Sequence, residues 1–127
     1  MNDRPTAVEL VEAVRRFLAS EVAPALGDAR LRFGVLIAAH VLGVVGREVT
    51  TEEADLAAEW AELAALLGTE GSAPARLTEL RSAVRRQNEE TVERIRAGAF
   101  DEAEAFRRAA AVLRRGVERK LGTAGLR

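Results

Sequence analysis

Few residues in this chain could do chemistry. Its 127 residues include one histidine, no cysteine and no tyrosine, and Lys120 is the single lysine. Groups that commonly relay protons or attack carbon are therefore scarce. Without thiols, disulfides, zinc–thiolate sites and cysteine catalysis are excluded. A metal centre on facing helices calls for a Glu-x-x-His pair on two of them. Position 37, three before His40, is Ile, and there is no second histidine. No nucleophile elbow, P-loop or spaced carboxylate pair occurs. The expectation is a protein that is not an enzyme and that uses no metal or cofactor.

His40 is the only polar side chain in the run Phe33–Gly46, FGVLIAAHVLGVVG. A histidine in so apolar a segment is expected to be a core residue with a hydrogen-bond partner. Asn88, the polar intrusion on the inner stripe of a later helix, is the candidate partner. In the alternative reading, His40 and Asn88, with Arg32, line a small polar pocket inside the fold. Trp60 shares a helical stripe with Leu56, Leu63 and Leu67, which makes it a core residue rather than an exposed stacking platform.

The arginines offer a second possibility. Arg108, Arg115 and Arg119 fall on one side of the last helix, a candidate face for a partner or for phosphate. Residues 1–72 hold 6 arginines against 12 acids, and residues 73–127 hold 13 basic residues against 8 acids. Such asymmetry can mark an interaction surface or complementary halves of one fold. Glu89, Glu90, Glu93 and Glu118 interrupt the positive field and few aromatics accompany it, so nucleic acid is not the expected partner.

The elements that must position these residues are all helical. Thr6 with Glu9 forms a capping box ahead of Val8, Val11, Val14, Phe17 and Leu18, predicting a helix over 6–22. Gly27 and Asp28 read as a turn. A helix over 29–49 follows, apolar all round, which is the pattern of a helix wrapped by others. Its uncharged run stops at Arg32 and Arg47, short of the roughly 18 residues of a membrane span. Thr50 with Glu53 reads as another capping box, so a third helix, 52–67, is expected after a sharp corner. Gly68 stops it. Ser72 and Pro74 open a fourth helix, 73–97, with Leu77, Leu80, Val84, Asn88, Val92 and Ile95 facing inward. Gly98 ends it, and Asp101 with Glu104 starts a last helix to Leu121, with Phe106, Ala109, Ala110, Leu113 and Val117 inside. Short connections favour antiparallel neighbours. The expected fold is all-α: one domain, 1–127, an up-and-down bundle of about five helices around the apolar helix. Asp3 and Arg4 stand where a leader would be apolar, so a cytoplasmic protein is expected.

Several stretches resemble a known family: Asp3–Val14 (DRPTAVELVEAV), then Phe17-Leu18, Glu21-Val22, Pro24–Leu26, Arg30–Phe33 (RLRF), Ala38-Ala39 and Arg47-Glu48. The likeness is closest over residues 3–48 and weaker at Ile95–Gly98 and Phe100-Asp101. The family is small, all-helical, bacterial and of unknown function. Its members are often encoded beside aminoglycoside-phosphotransferase-like kinases and acyl-CoA dehydrogenases. The chain departs from it at His40, where an asparagine is expected, and at its ending, LGTAGLR. The resemblance carries no catalytic residues. It implies an accessory protein working with such a kinase or dehydrogenase, while the thin catalytic inventory and the charge asymmetry point to a module that binds a protein partner or itself.

Overall fold

The computed structural model describes residues 3–126, and among these every regular element is helical. Helix α1, Ala7–Phe17, continues through a π-helical turn, Leu18–Val22, and a last turn, Ala23–Ala25. The Thr6 hydroxyl accepts the Glu9 N–H at 3.2 Å, as a capping threonine should. The Glu9 carboxylate instead takes the Arg4 guanidinium at 2.8 Å. In the π-turn, the Ala23 N–H reaches back to the Leu18 carbonyl. This wider turn falls where the Pro24 ring would otherwise crowd the carbonyl four residues earlier.

Helix α2 spans Ala29–Leu67, 39 residues without interruption. Asp28 is more than a turn residue: its carboxylate accepts the Leu31 N–H at 3.1 Å and caps α2. The helices expected at 29–49 and 52–67 are thus one, and there is no corner at Thr50. The reason lies in the two threonines. Thr50 Oγ1 donates to the Gly46 carbonyl at 2.8 Å and Thr51 Oγ1 to the Arg47 carbonyl at 3.1 Å. Both hydroxyls bond backward along a continuing helix instead of forward as caps. Helices α3, Leu77–Arg96, and α4, Ala103–Ala124, complete the fold, giving four long helices among the described residues where about five were expected.

Glycines end α2 and α3 as expected. Gly68 has φ +70° and Gly98 φ +85°. The next N–H of each turn closes onto an orphan carbonyl: Thr69 N–H donates to Ala64 O and Ala99 N–H to Arg94 O, both at 3.0 Å. A Cβ on Gly98 would stand 2.9 Å from an Asp101 carboxylate oxygen.

The described chain forms two compact units. One is built from residues up to Thr51 with Thr123–Gly125, the other from Glu52–Gly122 with Leu126. In the second, Leu63, Leu80, Val84 and Val112 form the core, with Leu56, Trp60 and Leu66 packed on it. Trp60 is therefore half-buried against this core rather than a member of it. Hydrogen bonds join Arg81 to Glu52, Asn88 to Glu59, Gln87 to the Trp60 carbonyl and Arg94 to the Leu67 carbonyl. The offset stays between 27 and 29 residues along the whole length. Helix α3 therefore runs parallel to this part of α2, not antiparallel. The connection 68–76 makes this possible. Returning the chain takes roughly 28 Å at 1.5 Å per helical residue, within reach of nine near-extended residues at about 3.3 Å each. After the short connection 97–102, α4 runs back.

In the first unit, α1 lies on the early part of α2: Val11 Cγ1 comes within 3.7 Å of where a Gly46 Cβ would be, and Arg15 Cδ within 3.5 Å of that at Gly43. Residues 11 and 15 meet 46 and 43, so the two helices form an antiparallel hairpin. Arg47 Nε donates to the Thr123 carbonyl at 2.8 Å and ties in the end of α4.

Candidate interaction surface

His40 is on the solvent side of the hairpin, not in a core. It lines an open groove of about 620 Å³ between α1 and α2, beside Val11, Arg15, Ala39, Gly43 and Arg47. The two guanidiniums there are already engaged. Arg15 Nε donates to Glu12 at 2.8 Å, and Arg47 Nε holds the Thr123 carbonyl. Asn88 does not reach His40: its amide donates to Glu59 Oε1 at 3.2 Å and the Val84 carbonyl at 3.1 Å. Arg32 lies outside the groove as well, its guanidinium donating to the Leu26 carbonyl at 2.9 and 3.2 Å, where it closes the turn between α1 and α2. The expected histidine–asparagine pair is thus replaced by three separate arrangements.

The expected wrapping of the apolar helix is also absent. Between Ala29 and Thr51, Ala39 alone is buried. Phe33 is 65% exposed, Ile37 48%, Val41 52% and Val45 38%. A helix apolar all round needs cover all round, and α1 supplies only one side. At roughly half exposure, withdrawing each of these side chains from water is worth about 1 kcal/mol. With Leu36, the five represent on the order of 5 kcal/mol of unrealised burial. The α4 residues Phe106, Leu113 and Val117, expected inside, are exposed too, as are Val14 and Phe17 on α1. On α3, Val92 and Ile95 are exposed, while Ala83 and Thr91 take buried positions.

Arg108, Arg115 and Arg119 do share a side of α4, as their spacing required. Arg108 and Arg115 flank a shallow groove with Ala61, Ala65 and Leu66. This face is not purely basic. Glu62 of α2 takes Arg115 at 3.2 Å and Arg119 at 3.1 Å. The Glu62 carboxyl is held below the usual carboxylate range, first by the Arg119 hydrogen bond, with the charges of Arg119 and Arg115 adding and partial burial opposing. Its folded pKa lies below its unfolded one, so its stabilisation is full above the unfolded value and disappears as pH falls through the folded value. Glu62→Gln is expected to lower stability by about 1 kcal/mol at neutral pH, because Arg115 is half in water. Urea titrations of the two proteins from about pH 7 downward should converge below about pH 4. A constant gap at all pH values would show that the carboxylate charge is irrelevant.

Among the described residues no group of three or more histidine, cysteine or acidic side chains is arranged to hold a metal ion. Helix α2 is long and apolar enough, by length and composition, to cross a membrane. The domain of unknown function DUF6285 matches residues 24–124. The chain belongs to the DUF6285 family. No curated protein and no solved structure matches it. The matched region of this DUF6285 chain begins at Pro24 and takes in all of α2, α3 and α4, while the stretch Asp3–Val14 lies before it.

Proposed function

We propose that the protein is a non-catalytic interaction module, an accessory subunit that binds a protein partner or itself through a helix face. The observation that carries this reading is the early part of α2: fourteen residues, Phe33–Gly46, without a charge, lying largely in water. A soluble protein rarely leaves such a contiguous apolar face unless something binds there. The groove beside His40 is a weaker basis for function, since Arg15 and Arg47 already have partners within the chain. The thin catalytic inventory points the same way.

The company implied by the family resemblance is a phosphotransferase-like kinase or an acyl-CoA dehydrogenase in the cytoplasm. That association rests on genomic neighbourhood and not on a site. A membrane is disfavoured on charge, since Arg32 and Arg47 bound the uncharged run. The ion pairs of Glu12 with Arg15 and Arg16 run alongside it on α1.

The test is purification of the tagged protein from its native host at low salt, followed by the mass of the eluted complex. A kinase or dehydrogenase in stoichiometric amount is expected if the accessory role is correct. Reversing Arg108 and Arg115 to Glu should then reduce its recovery about tenfold if the basic face takes part. Unchanged recovery would remove that face from the interface.

A further inference from the structure

We propose that the occupant of the exposed α2 face is a second copy of this chain, packed antiparallel across a two-fold axis at the level of Ala39. The inference deepens the interaction-module reading and rests on it. Its first support is the hairpin's own incompleteness. Helices α1 and α2, with the residues joining them, bury only Ala23 and Ala39 fully in this unit. Two packed helices without a further layer do not make a core, so the face must be covered.

The identity of the cover follows from the order of residues along α2. Arg30 and Glu48 are 18 residues apart, which is five whole helical turns, so they project from the same side. Both are exposed. Among the described residues neither forms an ion pair or a side-chain hydrogen bond. Between them on that side lie Phe33, Ile37, Val41 and Val45, all substantially exposed. The series is symmetric in position about residue 39: 30 mirrors 48, 33 mirrors 45, and 37 mirrors 41. An antiparallel copy therefore sets Ile37 against Val41 near the axis and Phe33 against Val45 further out. At both ends Arg30 of one copy meets Glu48 of the other.

A two-fold interface must be complementary to itself. This face meets that condition, since its centre is uncharged and its ends carry opposite charges that exchange under the two-fold. A parallel pairing would instead place Arg30 on Arg30 and Glu48 on Glu48. A partner of fixed charge would find no partner across the uncharged centre. The assembly is then a four-helix layer of α1 and α2 from each chain.

The test uses the full chain. Its mass in solution, measured across a concentration series, is expected to reach twice 13.7 kDa. Ile37→Glu with Val41→Glu should abolish association while circular dichroism stays helical. Arg30→Glu alone and Glu48→Arg alone should each weaken association roughly tenfold, because each puts like charges together at both ends. Combining the two reversals should restore it. That rescue requires the antiparallel register, and a dimer indifferent to these four positions overturns the proposal. A wild-type monomer that still binds a stoichiometric kinase or dehydrogenase overturns self-pairing and leaves the interaction reading standing. A monomer that binds neither overturns both. Sedimentation of the wild type with phosphatidylcholine vesicles, in place of dimer formation, would also overturn it by naming lipid as the cover.

Discussion

Leu63→Ala is expected to cost the second unit 2–5 kcal/mol, the range for emptying a leucine's place in a packed core. Leu63 is 1% exposed and packs with Leu80, Val84 and Val112, one partner set on α3 and one on α4. The substitution removes transfer energy and leaves a cavity walled by three helical segments, whose parallel and antiparallel packing cannot close independently. Since domains of this size are stable by only about 5–15 kcal/mol, the loss should be plain in a urea midpoint. Leu113→Ala is the matched control. Leu113 is 40% exposed, so the same atoms are removed where water already reaches, and the cost should stay below about 1 kcal/mol. Equal costs at both positions would mean that the core lies elsewhere, or that Leu113 is covered in an assembly.

Signals that depend on a few neighbouring residues were legible in the sequence. Thr6 caps α1, Gly68 and Gly98 stop helices with left-handed turns, and on the stripe of Trp60 with Leu63 the leucine is buried and the tryptophan packs half-buried against it. Asp28 obeys the same capping rule, but Gly27 before it makes the pair an equally good turn signal. Thr50 and Glu53 misled for a different reason. A threonine oxygen can serve the N–H ahead of it or the carbonyl behind it, and the pattern Thr-x-x-Glu is the same in both cases. Ser72 and Pro74 also do not begin a helix. The 68–76 segment, which holds turns and bends but no helix, is what brings α3 back alongside α2, and helix formation waits until Leu77.

For the candidate site the limit was what a single chain contains. The spacing of Arg108, Arg115 and Arg119 put them on one side of α4, but Glu62, which neutralises part of that face, comes from 53 residues before Arg115 and leaves no local trace. His40 was expected in a core because an all-apolar helix implies cover. That premise is physically sound, but it does not say which chain supplies the cover. An obligate interface resembles a core cut in half, and sequence periodicity cannot distinguish the two. The exposed α2 residues are what the proposed pairing would cover, and the hydrophobic pattern itself stands.

Thr51→Pro has the second large expected effect, a loss of about 3 kcal/mol or more, and its sign discriminates between two structures. In the 39-residue α2, position 51 is interior. Proline there removes a backbone donor, and its ring crowds the Arg47 carbonyl, which the Thr51 hydroxyl also uses at 3.1 Å. Were Thr50 instead the cap of a new helix, position 51 would be its first residue. There proline's missing N–H is an orphan anyway and its fixed φ suits the helix, so the change would be neutral or stabilising. Ala7→Pro provides the internal reference, because Ala7 is the first residue of α1 behind the Thr6 cap and should accept proline within a few tenths of a kcal/mol. Far-ultraviolet circular dichroism and thermal midpoints of both variants settle the matter. A stable, fully helical Thr51→Pro protein would restore the corner at Thr50. A destabilised one with reduced helicity would establish that the uncharged segment and the core segment belong to one unbroken helix.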